Sequence, residues 1–154
     1  MTEQEIFTRL FSLIETSDDK NGVVAACLVR DSYILGEAVS TNDSVHAEYA
    51  LLQKVGDSIQ KDDIVYTTVE PCGSRTPGGK GEKMGDCTTN LILAGVKHVV
   101  YAASDPHASQ LSRHRFEQAG VTLNQVQDKE IRMQAIESFN ATCSRQEDWL
   151  PLIS

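Results

Sequence analysis

Three strand-length runs rich in β-branched and small apolar residues, at 23–29, 64–69 and 96–102, are separated by segments with helical periodicity. That order constrains the fold more than any other feature of the chain. Strands that alternate with helices pair in parallel, and the resulting sheet needs helices over both faces to shield it. The first run also has a nearby partner at 33–39, across Arg30-Asp31-Ser32, which reads as an antiparallel hairpin. The sheet is therefore expected to be mixed. Helices are expected at 6–14, where Ile6, Phe7, Leu10, Leu13 and Ile14 fall on one face, and at 45–55, 87–94, 111–119 and 129–142. Gly95 and Gly120 close two of them, a short strand is expected at 121–123, and Asp18, Asp19, Asn21 and Gly22 form a turn.

The 154 residues suit a single domain, 1–154, with no internal repeat or linker, and a 40% apolar, 23% charged composition fits a packed globule. No apolar run approaches the length of a membrane span. Glu3 and Glu5 stand where an export signal needs positive charge, so a cytoplasmic protein without membrane attachment is expected. The net charge of −8 disfavours a nucleic-acid partner, because phosphate contacts require a basic face. It does not disfavour a small phosphorylated substrate. Of the four cysteines, Cys27 lies in a strand-like run and Cys143 near the end of a helical one, which suggests structural thiols. Cys72 and Cys87 lie among Gly, Pro and polar residues and read as metal ligands rather than a disulfide.

Three segments carry residue types suited to one chemistry: His46-Ala47-Glu48, Glu70-Pro71-Cys72 and Cys87. A catalytic zinc takes three protein ligands and keeps a fourth position open; one imidazole and two thiolates meet that requirement. Zinc brings the pKa of water toward neutrality, so a carboxylate must move the proton, and Glu48 stands two residues from the histidine. Residues two apart on a regular helix point to nearly opposite sides. His46 and Glu48 therefore converge only if His46 sits at the helix start, and Asp43 and Ser44, both N-cap types, put the start there. Cys87 follows Asp86 and opens the next helix, where the positive end of the dipole favours a thiolate. The blander readings are a buried histidine with two inert thiols, or a structural zinc, which would want a fourth protein ligand.

His-Ala-Glu followed by Pro-Cys and a second Cys resembles the cytidine and deoxycytidylate deaminase superfamily. The chain is most similar there to the riboflavin-biosynthesis pyrimidine deaminases, which also have a long inter-cysteine loop and a segment like Arg75-Thr76-Pro77. Residues 21–29, 94–100, Asp105-Pro106-His107, 116–121 and Asn140 extend the likeness over nearly the whole chain. There are departures. Fourteen residues separate Cys72 from Cys87, where most of the superfamily has two, and the Pro of bacterial members before the second Cys is missing. The stretch before His46 is shorter, and the 154 residues hold no counterpart of the reductase domain that many bacterial relatives carry.

The resemblance implies a three-layer α/β/α sandwich around a five-stranded mixed sheet, with His46, Cys72 and Cys87 holding Zn2+ and Glu48 as the catalytic base and acid. It implies hydrolytic deamination of a small pyrimidine-type substrate, foremost the diaminopyrimidine ribosylamino or ribitylamino phosphate of riboflavin biosynthesis, and a homo-oligomer, dimer or tetramer. Other readings are a deaminase of another free base, nucleoside or antibiotic precursor, and a non-catalytic zinc-stabilised binding module. Around the site, Asn21 is either a substrate contact or the lead residue of a turn. Glu70 either orients backbone or substrate or faces water at a strand end. Ser74, Arg75, Lys80 and Lys83 belong to a loop at 73–86 with five glycines, which either receives a substrate phosphate or only closes over the site. Asp105 and His107 either contact substrate or shape a turn; His98 and His114 are assigned to structure or surface.

Overall fold

A computed structural model of the chain describes residues 1–43, 45–73, 82–105 and 110–144. Five strands, β1 (Ala25–Arg30), β2 (Tyr33–Val39), β3 (Ile64–Val69), β4 (His98–Ala103) and β5 (Thr122–Gln125), form one sheet in the order β2-β1-β3-β4-β5. β1 runs antiparallel to both β2 and β3, whereas β3, β4 and β5 are parallel, so the sheet is mixed as expected. The helices are α1 (Glu3–Ile14), α2 (Ala47–Val55), α3 (Cys87–Leu93), α4 (Gln110–Gln118) and α5 (Lys129–Thr142). α1 starts three residues before its apolar stripe because Thr2 and Glu5 form a reciprocal capping box, each side chain accepting from the other's backbone N–H.

The two faces of the sheet carry separate cores. Ala25, Cys27 and Val29 face α1 and α5, while Ala26 and Leu28 face the other side, as the two-residue strand period requires. Phe7, Leu10, Ile136 and Phe139 fill the first core; Leu51, Leu91, Val99 and Phe116 fill the second. The result is a helix–sheet–helix sandwich of three layers.

β1 begins two residues later than its apolar run, and the reason is hydrogen bonding. The N–H groups of Val23, Val24 and Ala25 donate to side-chain oxygens of Thr142, Ser40 and Thr68 at 2.8, 3.0 and 3.1 Å. The turn before β1 is fixed by Asp19, whose carboxylate accepts from the Asn21 N–H and the Ser40 hydroxyl. Gly22 has φ +93° and lies against the Phe139 ring, so a side chain there would meet both a left-handed backbone and a filled core.

These pairings bring the functional segments to one edge. Val39 pairs with Ala25, and Ala26 with Thr67, so the end of β2, the start of β1 and the end of β3 adjoin. β4 runs parallel to β3 and ends on the same side. Asn21, His46, Cys72 and Asp105 all belong to connections at that edge. In an open α/β sheet, this edge, beyond the carboxyl ends of the parallel strands, is where ligands bind.

Candidate metal centre

Each proposed ligand stands at a boundary between elements. Cys72 lies three residues past the end of β3, Cys87 is the first residue of α3, and His46 is itself the N-cap of α2, with extended backbone at φ −73°, ψ 152°. The helix thus starts a little later than Asp43 and Ser44 suggested, and this later start lets His46 and Glu48 converge. The His46 ring makes no capping bond. Its Nδ1 instead lies 3.4 Å from Cys87 Sγ and 3.6 Å from Cys72 Sγ.

All three ligand atoms fall within 4.8 Å of one another. Zinc bonds of about 2.0–2.1 Å to nitrogen and 2.3 Å to sulfur, at tetrahedral angles, place the two atom types about 3.6 Å apart. The nitrogen–sulfur separations match, and the donor set of one imidazole and two thiols suits a zinc site with an open position. His46, Cys72 and Cys87 therefore fit Zn2+.

The electrostatics favour at least one thiolate before any cation arrives. The Cys87 N–H donates to Cys72 Sγ at 3.3 Å. A side-chain hydrogen bond from Cys87, with His46 in support, pulls the Cys72 thiol well below its ordinary range against the effect of burial. Cys87 moves the opposite way, because that same bond and its burial favour its protonated form. Glu48, in the first turn of α2, is 3% exposed and its carboxyl lies close enough to feel His46, Cys72 and Cys87. Burial raises its carboxyl above the usual carboxylate range, partly countered by His46. Among the described residues its Oε1 has no hydrogen-bond partner. A buried polar atom without a partner costs stability, and a functional site is where such a cost persists.

Glu70 is buried, not solvated. Arg113 of α4 grips it with two bonds, Nε to Oε2 at 2.6 Å and Nη2 to Oε1 at 2.9 Å, and the Asp105 N–H donates to Oε1 at 3.3 Å. Asp105 and Glu70 are thereby joined, which ties the end of β4 to the segment carrying Cys72. Asn21 is half-buried on the turn before β1 and bridges to Cys143. Lys83 is exposed in a short 3-10 turn, Glu82–Met84. Ser74, Arg75, Lys80 and His107 lie outside the described residues.

Sequence reasoning missed Ser112, Arg113 and Arg115, all on α4. Arg115 Nη2 donates to Asp86 Oδ1 at 2.6 Å and to the Gly73 carbonyl at 3.2 Å, and Ser112 and Thr88 hydroxyls meet at 2.6 Å. A fully buried acidic residue at 70 would have demanded a cationic partner, but nothing in the spacing says which arginine supplies it.

Fold and centre together define a three-layer α/β/α domain with a His-Cys-Cys metal-binding cluster at the edge of its sheet. Residues 1–103 match the family model described as the cytidine and deoxycytidylate deaminase zinc-binding region, and the chain belongs to that family. Among solved structures, RibD of Acinetobacter baumannii is similar with a TM-score of 0.70 at 22% identity, over 90% of this chain and 38% of RibD. The Rib2 deaminase of Aspergillus oryzae, a C-terminal deletion mutant, is similar with a TM-score of 0.73 at 19% identity, over 93% of both chains. The dCMP deaminase of cyanophage S-TIM5 is similar with a TM-score of 0.55 at 20% identity, over 82% of this chain and 100% of the phage enzyme. This chain thus spans well under half the length of RibD. A sequence comparison with curated proteins gives no match. Among the described residues no helix is long and apolar enough to cross a membrane.

Proposed function

We propose that residues 1–154 form one zinc-dependent aminohydrolase domain that removes the exocyclic amino group from a small pyrimidine-type ring. The observation that carries this reading is Glu48, buried beside both thiols with an oxygen that no described residue satisfies. A zinc that only stiffened the fold would need no such carboxylate, which disfavours a non-catalytic module. Zinc held by His46, Cys72 and Cys87 would supply a Lewis acid able to ionise water near neutral pH. Glu48 then accepts a proton from the attacking water and delivers it to a ring nitrogen. A second proton passes through the same carboxylate to the departing amine, which leaves as ammonia while the ring carbon becomes a carbonyl. A carboxyl raised by burial suits both roles, because general acid–base catalysis works best with a pKa near the working pH.

For the substrate we favour the diaminopyrimidine ribosylamino or ribitylamino phosphate of riboflavin biosynthesis. The Arg75-Thr76-Pro77 and Asp105-Pro106-His107 segments support it, and the Aspergillus oryzae Rib2 deaminase has been solved in complex with DARIPP. On this reading Asn21 and Asp105 flank the ring from the sheet edge, and Ser74, Arg75 and His107 contact the substrate, with Arg75 on its phosphate. The chain works in the cytoplasm as a homo-oligomer. The test is ammonia release by zinc-loaded protein from a panel of that phosphate, its dephosphorylated form, cytidine and dCMP. Turnover should be fastest on the diaminopyrimidine phosphate, and Glu48→Gln should lose roughly a hundred- to ten-thousand-fold in rate with zinc content unchanged. Near-full turnover by Glu48→Gln would remove Glu48 from the chemistry, and a preference for cytidine or dCMP would move the substrate away from riboflavin precursors.

A further inference from the structure

The two thiols of the centre are joined by a third element that neither the motif nor the mechanism uses. Ser112 and Arg115 lie three apart on α4 and so share one helix face, which is turned toward the cysteine segments. Arg115 Nη2 lies 3.2 Å from the carbonyl of Gly73, the residue after Cys72, and 2.6 Å from Oδ1 of Asp86, the residue before Cys87. One nitrogen atom thus ties together both ends of the inter-cysteine loop. Asp86 is held in turn as the N-cap of α3, its Oδ1 accepting from the Thr89 N–H at 2.8 Å. One turn back on α4, Ser112 Oγ meets Thr88 Oγ1 at 2.6 Å, and Thr88 donates to the Cys72 carbonyl from both its hydroxyl, at 2.9 Å, and its N–H, at 3.1 Å.

Arg115 keeps this position at a cost, since its Nε is buried with no hydrogen-bond partner among the described residues. The Arg115 side chain is 29% exposed and that of Asp86 17%, so the pair is partly shielded from water. From this geometry we infer that Arg115 is a positioning residue for the metal centre: by clamping Gly73 to Asp86 it sets the spacing of Cys72 and Cys87 and so raises the affinity for zinc. It touches neither metal nor substrate. The inference rests on the reading of His46, Cys72 and Cys87 as the zinc ligands.

Partners that orient metal ligands typically contribute 10- to 100-fold in metal affinity when removed. The test is competition for zinc between a chelator of known affinity and the folded apoprotein of residues 1–154. Arg115→Met should bind zinc 10- to 100-fold more weakly than wild type, and Arg115→Lys, which can still reach Asp86, should recover part of the loss. Asp86→Asn keeps a residue able to cap α3 but loses the charge, and should weaken zinc as well. The double variant Arg115→Met/Asp86→Asn should be no weaker than the worse single variant, because both act through one contact. With cobalt in place of zinc, the thiolate charge-transfer band of Arg115→Met should be altered at saturating metal, a signature that general loss of stability does not produce. Zinc affinity within twofold of wild type in folded Arg115→Met, with an unchanged cobalt band, overturns the positioning role alone. Failure of the wild-type chain to bind one zinc overturns the ligand assignment and the clamp together.

Discussion

Replacing Glu70 by alanine tests whether the residue before Pro71-Cys72 serves as a structural bolt. Its side chain is completely buried, Oε2 accepting from Arg113 Nε and Oε1 from both Arg113 Nη2 and the Asp105 N–H. Truncation removes one acceptor from the half-buried Asp105 N–H, which costs about 1–3 kcal/mol. Arg113 is half exposed and recovers much of its solvation once released, so the lost ion pair adds only about 1 kcal/mol or less. The expected loss is then about 1–4 kcal/mol, centred below the 3–5 kcal/mol typical for breaking a wholly buried pair. In a domain of this size 1 kcal/mol moves Tm by roughly 2–4 °C, which predicts a drop of about 2–16 °C.

The assay is urea unfolding at neutral pH, followed by circular dichroism, on wild type, Glu70→Ala and Glu70→Gln. Glutamine preserves the shape and its oxygen can still accept from the Asp105 N–H, while the half-exposed Arg113 turns away from the amide NH2, so it should cost about 1 kcal/mol, less than alanine. The order alanine, then glutamine, then wild type is the essential result. An alanine variant within about 0.5 kcal/mol of wild type, the range of ordinary surface substitutions, would refute the bolt. Equal losses for alanine and glutamine would mean that charge alone, not the buried hydrogen-bond geometry, stabilises this corner.

Gly22→Ala should destabilise by about 2–5 kcal/mol, combining roughly 1–2 for a left-handed backbone with 1–3 for overpacking against Phe139; a thermal melt within 2 °C of wild type would contradict the packing seen there. Cys72→Ser and Cys87→Ser should each abolish one-to-one zinc binding, whereas Cys27→Ser and Cys143→Ser should retain it by metal analysis. Burial pushes the Cys27 thiol up to about 12, so it stays a neutral core group. Asp63, fully buried and held at 2.8 Å by both Arg30 nitrogens, has its carboxyl pulled below the ordinary range chiefly by those bonds. The folded chain therefore binds that proton less readily than the unfolded one, so the stability from Asp63 is fully present above the unfolded value of about 4 and is lost as pH falls through the lower folded value. Asp63→Asn should be less stable than wild type at pH 7, with the difference shrinking below about pH 4; a difference that grows on acidification would reverse the assignment.

The sheet and the clustering of His46, Cys72 and Cys87 were legible in the sequence because both are written locally. β2 and β3 fall where the alternation and β-branching place them, at 33–39 and 64–69, and the tight turn between β1 and β2 is taken by Asp31 and Ser32 with φ 51° and 69°. His46, Cys72 and Cys87 follow from residue type and order. What was hidden depends on partners distant in sequence. The start of β1 shifts to Ala25 because Val23 finds its acceptor on Thr142, 119 residues away. The role of α4 was hidden for the same reason: Ser112, Arg113 and Arg115 sit in a helix whose local pattern records only its buried Phe116 and its closing glycine, while their acceptors lie about 25–45 positions earlier.

The long inter-cysteine loop gives these distant contacts a thermodynamic purpose. Bringing together the ends of a flexible segment costs about 0.6 kcal/mol for each doubling of its length. Fourteen residues between the thiols therefore cost roughly 2 kcal/mol more to close than the two of the commoner spacing. Hydrogen bonds that bypass the loop offset this: Cys87 N–H to Cys72 Sγ, and Thr88 N–H and Oγ1 to the Cys72 carbonyl. At about 0.5–1.5 kcal/mol each, these three suffice, before Arg115 ties Gly73 to Asp86. The thiols are thus held together by α3 and α4 rather than by the chain that connects them. The spacing of the two thiols therefore does not depend on how many residues separate Gly73 from Asp86.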